Sequence, residues 1–214
     1  MTTNTVPAEG FKLLVEQRRS ANNFDETVRI TREELNEIFQ LAKLAPSAYN
    51  LQHTRYVVVD EEELKLKLKK AAYGQHKVGT ASAAIIVLGD VKGYEKAQQI
   101  YEGQLHLGIM DQQQYDQTLQ TIQSSYESNE RFQRDEAIRS ASLSAMMLML
   151  AAKSRGWDTC PMIGYDEQAV QELLHIPGHL APVMMITIGK EKTNHPRIRG
   201  YRRPIGEFVQ YGAY

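Results

Sequence analysis

Cysteine, net charge and long apolar runs are what this 214-residue sequence has least of, and each shortage excludes something. A single cysteine, Cys160, rules out an intramolecular disulfide and any multi-cysteine metal centre. The 25 Lys and Arg against 26 Asp and Glu leave almost no net charge, so no overall field recruits nucleic acid or an anionic membrane. The longest apolar run, AMMLMLAA from Ala145 to Ala152, is far short of the roughly 20 residues that a membrane-spanning helix needs. The opening MTTNTVPAEGFKLL has no basic region followed by an apolar run, so no secretory signal is expected, and the cytoplasm is the expected location. Histidines 53, 76, 106, 175, 179 and 195 are scattered without HxxxH spacing, and no metal site is expected. GxGxxG, Walker A and G-x-S-x-G patterns are all missing, which argues against a Rossmann dinucleotide enzyme, a P-loop ATPase and an α/β-hydrolase.

No internal repeat, low-complexity tract or Pro/Gly/Ser linker divides the chain, so one domain over residues 1–214 is expected. Its one compositional shift is the Gln-rich stretch 98–133, which reads as an inserted helical excursion or lid. Helices and strands otherwise alternate. Phe11, Leu14 and Val15 place an apolar face on a first helix that stops near RRSANNF. Thr31 and Glu34 fit a capping box, with Leu35, Ile38, Phe39 and Ala42 at helical spacing behind them and Pro46 beyond the end. Tyr56–Val59 reads as a strand, EEELKLKLKKAA as a charged surface helix, and Ala83–Asp90 as a strand buried on both faces. Asp135–Arg155 is a long helix closed by Gly156 and, from Leu143 onward, apolar on nearly every side, as in a core or a subunit interface. DTCPMIG is extended, Asp166 caps a further helix, and Pro182–Lys190 is a second buried strand. The tail RIRGYRRPIGEFVQY is irregular, basic, then weakly β-prone. An α+β domain follows.

Four stretches carry candidate chemistry. In RRSANNF, two arginines and a serine at a helix end suit a phosphate, since guanidinium binds phosphate oxygens bidentately. The same residues also suit a helix end that complements the dipole and faces water. In APSAYNLQHTRYVVVD, Ser47 and Asn50 either satisfy a turn or form a polar rim for a planar heteroaromatic ligand. In GWDTCPMIGYD, Gly164 permits close approach of the chain to a ligand, and a free backbone N–H there is able to bond a ring nitrogen. Cys160 has no basic neighbour in sequence and reads as a small buried hydrophobe. The tail gathers Arg197, Arg199, Arg202 and Arg203 around Tyr201. With no other basic surface signal, it is weak as a nucleic-acid patch.

Taken in order, these four stretches resemble the FMN-dependent nitroreductase family over about Phe11 to Val209. The resemblance implies an α+β sandwich with a mixed, mostly antiparallel sheet flanked by helices, forming an intertwined homodimer with FMN at the subunit interface. By the same resemblance, Arg18, Arg19, Ser20 and Asn22 serve the FMN phosphate, ribityl chain or flavin edge. Pro46, Ser47, Ala48 and Asn50, with Gln52 close behind, reach FMN from the partner subunit. Ile163 and Gly164 offer a backbone N–H near the flavin N5, Arg202 completes the phosphate clamp with Arg199 assisting, and Gln75 and Lys77 lie near the pyrimidine edge. Three departures from the family pattern stand out: Asn22 in place of a basic residue, His53 and Thr54-Arg55 in place of a proline and an aromatic pairing, and Arg203 in place of leucine. Asn22 and His53 fall near the expected pocket, where substrate preference is set. The implied activity is NAD(P)H-dependent reduction of nitroaromatic, quinone or related acceptors by a ping-pong cycle. No catalytic side chain is expected, because the flavin carries the chemistry. Reductive dehalogenation, enone reduction, flavin fragmentation and a non-enzymatic flavin-binding redox sensor are compatible with the same frame.

Overall fold

A computed structural model describes residues 8–193 and 198–213; Arg197 and His195 lie outside them. Four strands form one sheet in the order β1-β2-β4-β3: β1 Thr54–Val59, β2 Ala83–Asp90, β3 Asp158–Met162 and β4 Leu180–Gly189. All three pairings between them are antiparallel. The parallel element is one bridge outside the named strands, Ser20 to Thr159, which lays the N-terminal segment along the outer edge of β3.

Alternation along the two central strands sorts the core into two layers. Ile85, Val87, Ile186 and Ile188 face α2 (Arg32–Ala42) and α7 (Glu130–Ser154). Ile86, Leu88 and Met185 face Leu68, Val78 and Val170 from α3 (Glu62–Ala71), α4 (His76–Thr80) and α8 (Glu167–Leu173). Because both faces are covered, every residue of β2 is buried, as its unbroken apolar run predicts.

Local signals set the helix ends. The Thr31 hydroxyl accepts from the Glu34 N–H (3.2 Å) while the Glu34 carboxylate accepts from the Thr31 N–H (2.9 Å), closing the expected capping box. At the far end of α7, Gly156 takes φ +75°, the Gly156 N–H bonds the Lys153 carbonyl and the Trp157 N–H bonds the Ala152 carbonyl. That pair of bonds is a Schellman ending, and it turns Trp157 into the core at 3% exposure, with the Lys190 ammonium 4.3 Å from its ring centroid.

The Gln-rich excursion is a helical pair, α5 (Ala97–His106) and α6 (Gln112–Tyr126), followed directly by α7. It is fastened to the body by a small core of its own, in which Leu51, Ala97, Ile122 and Tyr126 are buried. No described helix is long and apolar enough to cross a membrane.

Several expectations need correction. α3 is not simply a surface helix, since Lys65 is fully buried and donates to the Ala81 carbonyl at 2.7 Å. Lys65 stands three residues before buried Leu68, on the same helical face, and the ion pair with Glu62 at 3.2 Å offsets its desolvation. The weakly β-prone tail forms a 3-10 turn, Ile205–Glu207, and pairs with no strand among the described residues. The first helix, α1, runs Ala8–Gln17, and its apolar face is largely uncovered, with Phe11 57% and Val15 38% exposed. Of the two places expected for α7 from Leu143 onward, the core takes only one side: Leu148 and Ala152 are buried, while Leu143 and Met146 are exposed, which leaves the subunit-interface alternative open.

Candidate functional site

Where α1 ends, Arg18, Arg19 and Ser20 leave the helix, and the Ala21 N–H bonds the Thr159 carbonyl at 3.1 Å. The tail folds onto the same place. Arg199 Nη2 donates to the carbonyls of Val15 (2.7 Å), Glu16 (3.2 Å) and Arg18 (3.2 Å), a cation seated on the negative end of α1. Arg19 Nη1 donates to the carbonyls of Glu16 and Arg18. Among the described residues Arg202 Nη1 donates to the neighbouring carbonyls of Gly200 and Tyr201.

Among the described residues no carboxylate pairs with Arg18, Arg19, Arg199 or Arg202. Burial, and then the charges of Arg199, Arg19 and Arg202, pull the Arg18 guanidinium below its ordinary range. Arg18 Nη1 and the Thr159 hydroxyl oxygen are both buried without a hydrogen-bond partner among the described residues. An unmatched buried donor on a charged group is costly, and a phosphate dianion supplies what all these groups need. The residues present therefore fit an anionic phosphate.

Further candidates gather at this end of the sheet. The Gln75 amide donates to the Gly164 carbonyl at 2.6 Å, just past the end of β3. Gly164 is exposed, and no acceptor among the described residues meets its N–H; Ile163 beside it is 80% exposed. A Cβ on Gly164 would stand 3.3 Å from the Gln75 amide nitrogen, so glycine keeps this contact open. His76 Nε2 lies 3.1 Å from Asn23 Oδ1, tying the segment of Gln75 and half-buried Lys77 to the segment of Asn22, whose own amide donates to the Ser20 carbonyl. Thr159 is a member of the cluster that sequence reasoning missed; it lies inside a quoted motif, but nothing in its spacing sets it apart.

The remaining candidates sit elsewhere. Pro46, Ser47, Ala48, Asn50 and Gln52 lead into β1, the sheet edge opposite β3. Three inter-strand spacings, roughly 14 Å, separate the two edges. This loop is strained: Tyr49, Asn50 and Gln52 have φ of +50°, +51° and +51°, a region that non-glycine residues seldom occupy. Ser47 is partly used in holding it, because its hydroxyl accepts from the Gln52 N–H at 2.9 Å. Arg55 Nη1 donates to the Gln52 carbonyl at 2.8 Å and its Nη2 to Asp90 at 2.9 Å. Beside the loop is a cavity of about 430 Å³ lined by Phe39, Pro46, Ser47, Gln52, Arg55 and Tyr56. Burial pushes the Tyr56 phenol up to about 12, and its hydroxyl bonds Ser144 at 2.6 Å.

His53 does not itself line that cavity, although its neighbours Gln52 and Thr54 do. It is fully buried, with Nδ1 2.8 Å from the Asp90 carbonyl, Nε2 3.3 Å from the Tyr126 hydroxyl and its ring stacked on Tyr126. Its role is to pin the excursion to the sheet.

The sequence profile of the Nitroreductase family matches residues 15–190. The Bacillus subtilis (strain 168) relative "Putative NAD(P)H nitroreductase MhqN" is 57% identical over 202 residues, 94% of this chain and 98% of the relative. The crystal structure of ydfN from Bacillus subtilis superposes with a TM-score of 0.93 at 56% identity, covering 96% of this chain and all of that one. A crystal structure from Exiguobacterium sibiricum 255-15, in complex with FMN, superposes with a TM-score of 0.86 at 34% identity, covering 99% of this chain and all of that one. With the two-faced antiparallel sheet and the order of motifs, these likenesses establish that the chain belongs to the nitroreductase family and has its fold.

Proposed function

We propose that this protein is an FMN-dependent oxidoreductase that uses NAD(P)H to reduce nitroaromatic, quinone or related acceptors in a ping-pong cycle, working as a homodimer with the flavin between subunits. The observation that carries the reading is the buried, unpartnered Arg18 Nη1 within four guanidinium groups that pair with no carboxylate among the described residues. When bound, FMN supplies hydride acceptance from the nicotinamide and reduction of the acceptor; the protein supplies binding, orientation and electrostatics.

Each candidate then has a task. Arg18, Arg19, Arg199 and Arg202 with Ser20 hold the phosphate, and Asn22 assists on the sugar side. Gly164, with Ile163 before it, presents its unengaged N–H to the flavin ring, and Gln75 holds that peptide in place through the Gly164 carbonyl. Lys77 brings positive charge toward the edge where reduction leaves negative charge. The loop of Pro46, Ser47, Ala48, Asn50 and Gln52 stands at the far edge of the sheet from this cluster, which favours its serving the flavin held mainly by the other copy. Exposed Phe11, Leu13, Leu143 and Met146 supply apolar surface for that pairing.

The first test is the visible spectrum of the purified protein: a flavin spectrum with about one FMN per chain is expected, by the symmetry of a composite site. Arg18→Ala and Arg202→Ala are each expected to weaken FMN binding by roughly one to two decades, the worth of a charge-assisted bond. A colourless protein that takes up no added FMN overturns the reading. Parallel double-reciprocal lines with NADPH and acceptor varied together are expected, and intersecting lines refute the ping-pong order.

A further inference from the structure

The excursion and the strained loop share more than a boundary. The hydroxyl of Tyr101, on α5, donates to the carbonyl of Tyr49 at 2.9 Å. Leu51, between two residues at positive φ, is 1% exposed and belongs to the excursion's own core with Ala97, Ile122 and Tyr126. The Tyr49 ring meets Tyr126 edge-on at 6.5 Å, and Tyr126 in turn stacks on His53 and Tyr94. The loop is therefore gripped at its carbonyl, at its buried leucine and at the histidine that follows, each time by the excursion. Its left-handed residues are not glycines, so contacts must hold their conformation: the Ser47 hydroxyl holds the Gln52 N–H from within, and the excursion holds the rest from outside.

We infer that Tyr101 is a positioning residue: by holding the Tyr49 carbonyl it keeps loop 47–52 in its left-handed form, and so presents Ser47, Asn50 and Gln52 to the flavin in one fixed arrangement. The Gln-rich excursion is then the loop's scaffold. This rests on the flavin-binding reading given above. Pre-organisation is the physical gain, because a loop that orders itself only on binding loses affinity to the cost of ordering.

The test compares wild type, Tyr101→Phe, Tyr49→Gly and the double variant in FMN titration, with hydrogen exchange on the flavin-free proteins. Tyr101→Phe keeps the ring and loses only the hydroxyl. It is expected to weaken FMN binding about 3- to 10-fold, the range for one lost hydrogen bond. It is also expected to speed exchange of the Leu51 and Gln52 amides while leaving those of α6 unchanged. Glycine takes positive φ without penalty, so in the Tyr49→Gly background the same change is expected to cost under about twofold. Wild-type FMN affinity in Tyr101→Phe, an equal loss in both backgrounds, or equal acceleration throughout α6 each overturn the inference. If wild type binds no FMN the functional reading fails instead, and exchange at Leu51 and Gln52 still decides whether Tyr101 holds the loop.

Discussion

His53 shows how a single side chain acquires its role from neighbours that sequence does not reveal. Beside the polar loop it reads as a pocket residue, yet it is enclosed between Asp90 and Tyr126, and Gly93 passes so close that a Cβ there would stand 2.6 Å from Nδ1. Burial, first of all, lowers its pKa from the ordinary 6.5; the Asp90 carbonyl, Asp90 and Glu136 oppose that shift, and Arg55 reinforces it. The unfolded chain therefore binds more protons than the fold just below pH 6.5, and stability rises with pH there. His53 contributes above its unfolded pKa, and that contribution is lost as pH falls below it. Thermal midpoints of wild type are expected to drop from pH 7 to pH 5 more steeply than those of His53→Gln, which starts lower at pH 7. Parallel curves refute this. Lys65 teaches the same lesson in reverse. Its charge marks it as a surface residue, whereas its place three residues before Leu68 puts it on the buried face.

At the scale of elements, periodicity made the strands and helices legible, because it depends on which face is buried and not on what buries it. Ala83–Asp90 matches its expected bounds, and the Thr31–Glu34 box and Gly156 mark true helix ends. Starts are less legible: β1 and β4 each begin two residues before the expected bound and α7 begins five before it; Thr54-Arg55 and the mostly polar ERFQR carry little apolar signal, and Pro182 masks the start of β4 at Leu180. How elements meet is less legible still. Gly89 on β2 lies so close to α7 that a Cβ would stand 2.8 Å from the Ala137 carbonyl oxygen, a backbone atom with little freedom to retreat. Gly89→Ala is expected to destabilise the fold by about 1–3 kcal/mol, as overpacking does. Gly103→Ala on α5 meets nothing within 4 Å and is expected to be neutral or to stabilise. Denaturant midpoints of the two variants check the contrast, and equal midpoints would show that α7 yields.

For the whole molecule, the order of four weak motifs identified the family where no one of them was decisive. What that order cannot convey is distance. The structure joins Arg18, Ser20 and Arg199 at the β3 edge, ties Gln75 to Gly164 close by, and leaves loop 47–52 at the β1 edge. If a second copy completes the site, separation of the copies must release flavin. Leu143→Asp, on the exposed face of α7, is expected to shift the mass in solution from twice the chain mass toward one and to lower FMN content in step. Light scattering paired with flavin absorbance checks this, and a monomer that keeps its full flavin content contradicts the shared site. The Schellman turn after α7 has an optical consequence as well. It buries Trp157, the only tryptophan in the chain, two residues from the Thr159 that pairs with Ser20. Under excitation that spares the tyrosines, ultraviolet emission comes from one known place, and a bound flavin would absorb its light. Loss of the chromophore brightens that emission without changing its colour, whereas unfolding wets the indole and shifts it to the red. One cuvette then separates the two events.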